Sequence, residues 1–289
     1  MIFQKKQEIR EHNGAVYSID GTSFFVFTSA ADKFVVKWNI QEAQQEKFAI
    51  KMDHTSYKLV LHNQKLFIGS NKGELYVIDT VNRVVEQQRK ITDTAIYSLI
   101  LKDELIIIGT ADGTIHFLEK DSLQENKQLS FSCGKIRDLI FLNSQMLALA
   151  CQDGFIRIIN TETFELEHRF FAHEKGVNKL LQIDHKLFSA GKDAHLKVWD
   201  WQSEELLSSW PLHYEAIYDM KQIGDKLITA SRDKSIKIWE LDDSQIRLLQ
   251  KITAKEKGHS HSVNALYIID EFNFCSVGDD RRIIWWSCS

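Results

Sequence analysis

Short apolar runs separated by two-residue polar turns recur along the whole chain, and no stretch sustains a helical period. Residues 177–211 display the pattern most openly: VNKLLQI, the turn DH, KLFSAG, the turn KD, HLKVWDW, and then ELLSSWP. Runs of this length, alternating or continuously apolar and bounded by polar pairs, predict four antiparallel strands. The block holding the second turn has counterparts along the chain: TSAADKFVVKWN (28–39), IGSNKGELYVID (68–79), IGTADGTIHFLE (108–119), LACQDGFIRIIN (149–160), SAGKDAHLKVWD (189–200), TASRDKSIKIWE (229–240) and SVGDDRRIIWWS (276–287). The turn position falls at Asp32, Lys72, Asp112, Asp153, Asp193, Asp233 and Asp280, spaced by 40, 40, 41, 40, 40 and 47 residues.

Seven four-stranded units at a fixed period predict an all-β, seven-bladed β-propeller spanning residues 1–289 as a single domain, because a ring of blades buries the faces between neighbours and protects strand edges. No linker separates the units. The single proline, Pro211, falls at the end of an outer strand, where a missing N–H is tolerated. The last unit ends before a fourth strand, and FQKKQEI (3–9) has the character of IRLLQKI (246–252). Residues 3–9 are therefore expected to complete the seventh blade and close the ring.

With KVWD at 197–200 and a Gly-His pair in KGHS at 257–260, the chain resembles the WD-repeat β-propellers over essentially its whole length. That family links a Trp indole, a Ser or Thr hydroxyl, a His imidazole and the turn Asp by hydrogen bonds. The resemblance implies full sets at His12, Thr28, Asp32 and Trp38; His173, Ser189, Asp193 and Trp199; His213, Thr229, Asp233 and Trp239; and His259, Ser276, Asp280 and Trp286. Units 2, 3 and 4 replace both hydroxyl and indole by aliphatic residues: Ile68 and Ile78, Ile108 and Leu118, Leu149 and Ile159. Joint loss avoids a half-satisfied buried network. His54, facing Lys72 in place of the Asp, is expected to be exposed or otherwise paired. Ser, His and Asp would suggest a nucleophilic triad in one copy; four copies, one per blade, indicate a structural device, and no catalytic residue is assigned.

Composition narrows the partners. A formal charge of −4 argues against nucleic acid or an anionic membrane as the main partner, since phosphate binding needs concentrated Lys and Arg. No apolar run reaches the roughly 18 residues that span a bilayer, and the N-terminal residues lack a signal-peptide pattern. Cys133, Cys151, Cys275 and Cys288 have no zinc spacing. These features point to a cytoplasmic protein without cofactor. His259 and His261 in GHSHS lack further ligands at metal spacing, so no metal site is expected. The run AKEKGHS (254–260) lengthens the last interval and is expected to protrude as a loop.

Function is then expected on a surface. In the family, the face around the central channel commonly binds peptides through the first residues of each inner strand and the residue before the turn Asp. Carried over, the first set is Tyr17, Leu59, Tyr97, Arg137, Asn178, Tyr218 and Asn264, with Tyr57 and Lys135 one step outside; the second set includes Lys192 and Arg232. Tyrosine and arginine favour interface hot spots. The expectation is a non-enzymatic scaffold or adaptor that binds a protein or peptide carrying acidic residues and an apolar anchor. An enzyme with a channel active site, or nucleic-acid binding through a cationic rim, is the alternative.

Overall fold

The computed structural model describes residues 2–242 and 245–288. Seven four-stranded antiparallel sheets make a seven-bladed β-propeller. In blade 1 the strands run Val16–Gly21, Phe25–Ala30, Phe34–Asn39 and Gln44–Lys51, from inner to outer. Blades 2 to 6 repeat this order over residues 56–90, 96–130, 136–171, 177–211 and 217–252. Blade 7 combines Val263–Asp270, Asn273–Gly278 and Ile283–Cys288 with the N-terminal strand Phe3–Ile9.

The second strand of each blade is buried on both faces after its first residue, which explains why runs such as LFIGS and LIIIGT are continuously apolar or small. The outer strands face water; Val84–Lys90 is almost wholly exposed and carries Glu, Gln, Arg and Lys. The turn between second and third strands carries one residue with positive φ in every blade. That residue is Gly73, Gly113 and Gly154 in blades 2 to 4, but Lys33, Ala194, Lys234 and Arg281 in blades 1, 5, 6 and 7. A side chain in this region is costly. The blades that tolerate it are the four with a full His, hydroxyl, Asp and Trp set.

The chain divides into two compact units, one running to Lys90 and resuming at Tyr218, the other Ile91–Ile217. In the first, the expected closure is present. Phe3–Ile9 pairs antiparallel with Ile283–Cys288 from Phe3 opposite Cys288 to Ile9 opposite Ile283. Phe3 is 2% exposed and meets Phe274 edge-on at 5.1 Å. The Gln250 side chain of blade 6 clamps the Phe3 backbone, accepting from its N–H at 2.8 Å and donating to its carbonyl at 2.7 Å.

Neighbouring blades are stitched through one inner-strand position. Within the first unit Ser18 Oγ accepts from Leu59 N–H at 3.1 Å, and Asp219 accepts from Leu266 N–H at 2.8 Å. Within the second, Asp138 accepts from Leu180 N–H and Lys179 Nζ, both at 3.0 Å. A carboxylate buried between blades needs hydrogen-bond donors, and the next blade supplies them.

Candidate functional site

The residues that resemble a catalytic triad form the expected chains in three blades. In blade 5, Trp199 Nε1–H donates to Ser189 Oγ at 2.9 Å, His173 Nε2 lies 2.9 Å from that oxygen, and His173 Nδ1 lies 2.9 Å from Asp193. Blade 1 repeats this with Trp38, Thr28, His12 and Asp32 at 2.7, 2.7 and 2.9 Å. Blade 7 does so with Trp286, Ser276, His259 and Asp280, at 2.8 Å throughout. In blade 6 Trp239 Nε1–H donates to Thr229 Oγ1 at 2.9 Å, and His213 is buried. A neutral imidazole protonated at Nδ1 satisfies each complete chain: it donates to the Asp and accepts the hydroxyl proton, while the hydroxyl oxygen accepts from the indole.

Such a chain holds the turn but offers nothing to a substrate. Ser189, Thr28, Thr229 and Ser276 are wholly buried. The carboxylates also accept turn amides: Asp193 from His195, Asp32 from Asn13 and Phe34, and Asp280 from Ser260 and Arg282. Burial is the largest influence on Asp193 and opposes its ionisation, yet the His173 hydrogen bond and charge and the His195 amide together overcome it and the pKa is lowered. At Asp280 burial is likewise overcome, by His259, the Arg282 guanidinium and the Ser260 amide, and the carboxyl is held far below its ordinary range.

The second set of sequence-derived residues rests on a backbone device. In six inner strands the pairing register slips after the first pair, between Val16 and Ser18, Ser56 and Lys58, Ile96 and Ser98, Ile136 and Asp138, Val177 and Lys179, and Val263 and Ala265. The bulged residues are Tyr17, Tyr57, Tyr97, Arg137, Asn178 and Asn264. A bulge turns its side chain out of the ladder, so these positions project alike although their chemistry differs. Tyr218 is the second residue of the corresponding strand in blade 6. The residue before the turn Asp reaches the same end of the blade: Lys192 N–H donates to Gly176 O at 3.0 Å and Gln152 N–H to Lys135 O at 2.9 Å.

Leu59 is a correction. It is 1% exposed and packs against Phe27, Leu66 and Ile68 in the core. Tyr57, expected one step outside, holds the position assigned to Leu59: the 40-residue period that runs through Tyr17, Tyr97 and Arg137 lands on Tyr57, two residues before Leu59. Asn178 is also buried, its amide donating to Ile217 O at 2.8 Å, so it fastens backbone within its unit. Asn264 does the same to Val16 O at 2.9 Å and also donates to Asp279 at 2.8 Å.

The remaining side chains form two groups. In the second unit Lys135 Nζ donates to Tyr97 OH at 2.8 Å and lies 4.7 Å from the ring centre, and the Arg137 guanidinium is 5.6 Å from it. Lys192 has a lowered pKa, first through burial and then through Arg137 and Lys135. In the first unit Tyr17 meets Tyr57 edge-on at 5.3 Å. The Tyr17 pKa is raised by burial, Tyr57 and Asp279. Arg232 is exposed in this unit.

The family model described as "WD domain, G-beta repeat" matches residues 164–200 and 204–240, which carry the Ser189–Trp199 and Thr229–Trp239 pairs. Over those residues the chain is similar to the WD-repeat family, and its fold is that of a seven-bladed β-propeller. No curated protein matches it in sequence. Among solved structures it is similar to the computationally designed protein Ika8, at 20% identity and a TM-score of 0.76, over 98% of this chain and 99% of that one. That likeness concerns the fold.

Against the WD-repeat pattern, blades 2 to 4 show what replaces the polar chain. Ile68, Ile78, Ile108, Leu118, Leu149 and Ile159 are fully buried. His54, without its Asp, is partly exposed with Nε2 3.7 Å from Glu74. Blade 4 holds its turn differently: Arg157, 4% exposed, grips Asp153 with two bonds of 3.0 and 2.6 Å. An arginine inside IRII was the available sequence signal for this pair. In GHSHS, His259 belongs to the blade 7 chain and His261 is exposed beside Ser260. The longer interval folds into a 3-10 turn, Ala254–Glu256, capped by Thr253. Among the described residues no helix is long and apolar enough to cross a membrane.

Proposed function

We propose that this propeller is a non-enzymatic interaction module that binds an acidic segment of a partner protein. The WD-repeat family is typically a protein-interaction scaffold. The supporting observation is that Lys135 and Arg137 stand at the Tyr97 ring with Lys192 near enough to feel both charges. Burial and two neighbouring cations disfavour the Lys192 charge, and a carboxylate brought among them relieves that repulsion. Tyr97 adds a ring face with a polar end, suited to an anchor residue. Two projecting positions, Arg137 and Tyr97, are set by bulges on adjacent inner strands, so the donors are placed before the partner arrives.

The test uses a fluorescein-labelled, glutamate-rich peptide without large apolar side chains, followed by anisotropy. Lys135→Glu with Arg137→Glu is expected to weaken binding at least roughly tenfold, a loss of about 1.4 kcal/mol, with an unchanged thermal transition. Undiminished binding by the double variant, or equal displacement by a mixed-sequence oligonucleotide, contradicts the reading.

A further inference from the structure

A groove of about 400 Å³ lies between blades 1 and 2, inside the first unit and lined by residues outside both sets described above. Its floor is apolar: Phe27 and Phe48 pack edge-on at 5.2 Å, with Leu61 beside them. Its walls carry three cations, Lys37, Lys47 and Arg83, against a single lining carboxylate, Glu46. Lys37 Nζ stands 4.0 Å from the Phe25 ring centre and 5.8 Å from that of Phe27, so one cation already sits over the apolar floor. Lys47 and Arg83 are exposed.

The walls are fixed by the backbone. Thr80 donates through N–H and hydroxyl to Gln64 O at 2.9 and 2.7 Å, and Thr22 N–H donates to Phe25 O at 2.7 Å. Val81, on the lip, is 61% exposed. Val81, standing in water at the lip of a cleft with an apolar floor, extends the apolar surface that a partner could cover. The excess of positive charge on a chain of net charge −4 sets the sign of what fits.

We propose that this groove docks a second segment of a protein partner, one that inserts a bulky apolar side chain over Phe27, Phe48 and Leu61 while flanking acidic residues meet Lys37, Lys47 and Arg83. The apolar anchor supplies burial, and the flanking charges fix its direction and exclude basic sequences.

The test measures anisotropy of a labelled peptide with one central leucine flanked on both sides by aspartates, on the full chain. The wild type is expected to bind it, added salt to weaken it, and Lys47→Glu with Arg83→Glu to weaken it roughly tenfold or more. Val81→Asp, at an exposed lip position that leaves the core intact, is expected to lower affinity similarly. Lys135→Glu with Arg137→Glu leaves this binding in place, which separates the groove from the site proposed above. The inference is overturned by full affinity in the Lys47 and Arg83 variant, or by equal affinity for a peptide with lysines in place of the aspartates. It is also overturned by concentration-dependent dimerisation that Val81→Asp abolishes, which would make a second copy of the chain the occupant.

Discussion

At the residue scale, a Ser, a His and an Asp within hydrogen-bonding reach mean catalysis only if a substrate can reach the hydroxyl. Ser189 is wholly buried and its oxygen already serves both His173 and Trp199. What the arrangement does supply is a carboxylate held low by its donors. Burial raises the pKa of Asp280, but His259, Arg282 and Ser260 lower it further, so the folded value lies below the unfolded one near 4. For a depressed carboxylate the stabilisation is complete above the unfolded pKa and is lost as pH falls through the folded one. A single such group is worth on the order of 2 kcal/mol at neutral pH. Urea midpoints are therefore expected to fall as pH drops below about 4, and Asp280→Asn, less stable at neutral pH, is expected to show a shallower fall. Parallel curves for the two proteins would remove Asp280 from this account.

At the scale of the element, the same turn is held in three ways. A His and Asp chain secures it in blades 1, 5 and 7, a glycine with positive φ permits it in blades 2 to 4, and Arg157 braces Asp153 in blade 4. The strand that closes blade 7 depends on burial instead. Phe3→Ala removes a fully packed ring, and the expected cost is ~3–5 kcal/mol, read from chemical denaturation. Removal of residues 3–9 should lower the melting temperature sharply, and an unchanged melting curve would mean that the strand contributes little. Blade number, strand order and this closure were legible in the sequence, because a repeat of about 40 residues fixes the turns and each turn fixes its flanking strands. The site was legible only in part. Tyr17, Tyr97, Arg137 and Asn264 fall on bulges, and Tyr57 rather than the expected Leu59 is their counterpart in blade 2, on the 40-residue period; what the period does not reveal is the bulge that turns these side chains out of the ladder. The groove was not legible at all: Phe27, Leu61 and Arg83 are ordinary strand and turn residues until two blades set them side by side.

For the whole molecule, polar side chains divide by task. The buried chains of blades 1, 5 and 7 hold the scaffold, and the surfaces around Tyr97 and above Phe27 are the proposed meeting places for partners. That division predicts that stability and recognition separate under mutation. The most direct measurement compares Asp193→Asn with Lys135→Glu and Arg137→Glu, each followed by urea unfolding and by anisotropy with the glutamate-rich peptide. Asp193→Asn is expected to lose about 1–3 kcal/mol of stability while its folded form binds the peptide as the wild type does. The charge-reversed protein is expected to unfold at the wild-type midpoint and to bind at least roughly tenfold more weakly. The opposite pattern, peptide binding lost with Asp193→Asn at unchanged stability and retained by the charge-reversed protein, would contradict the account.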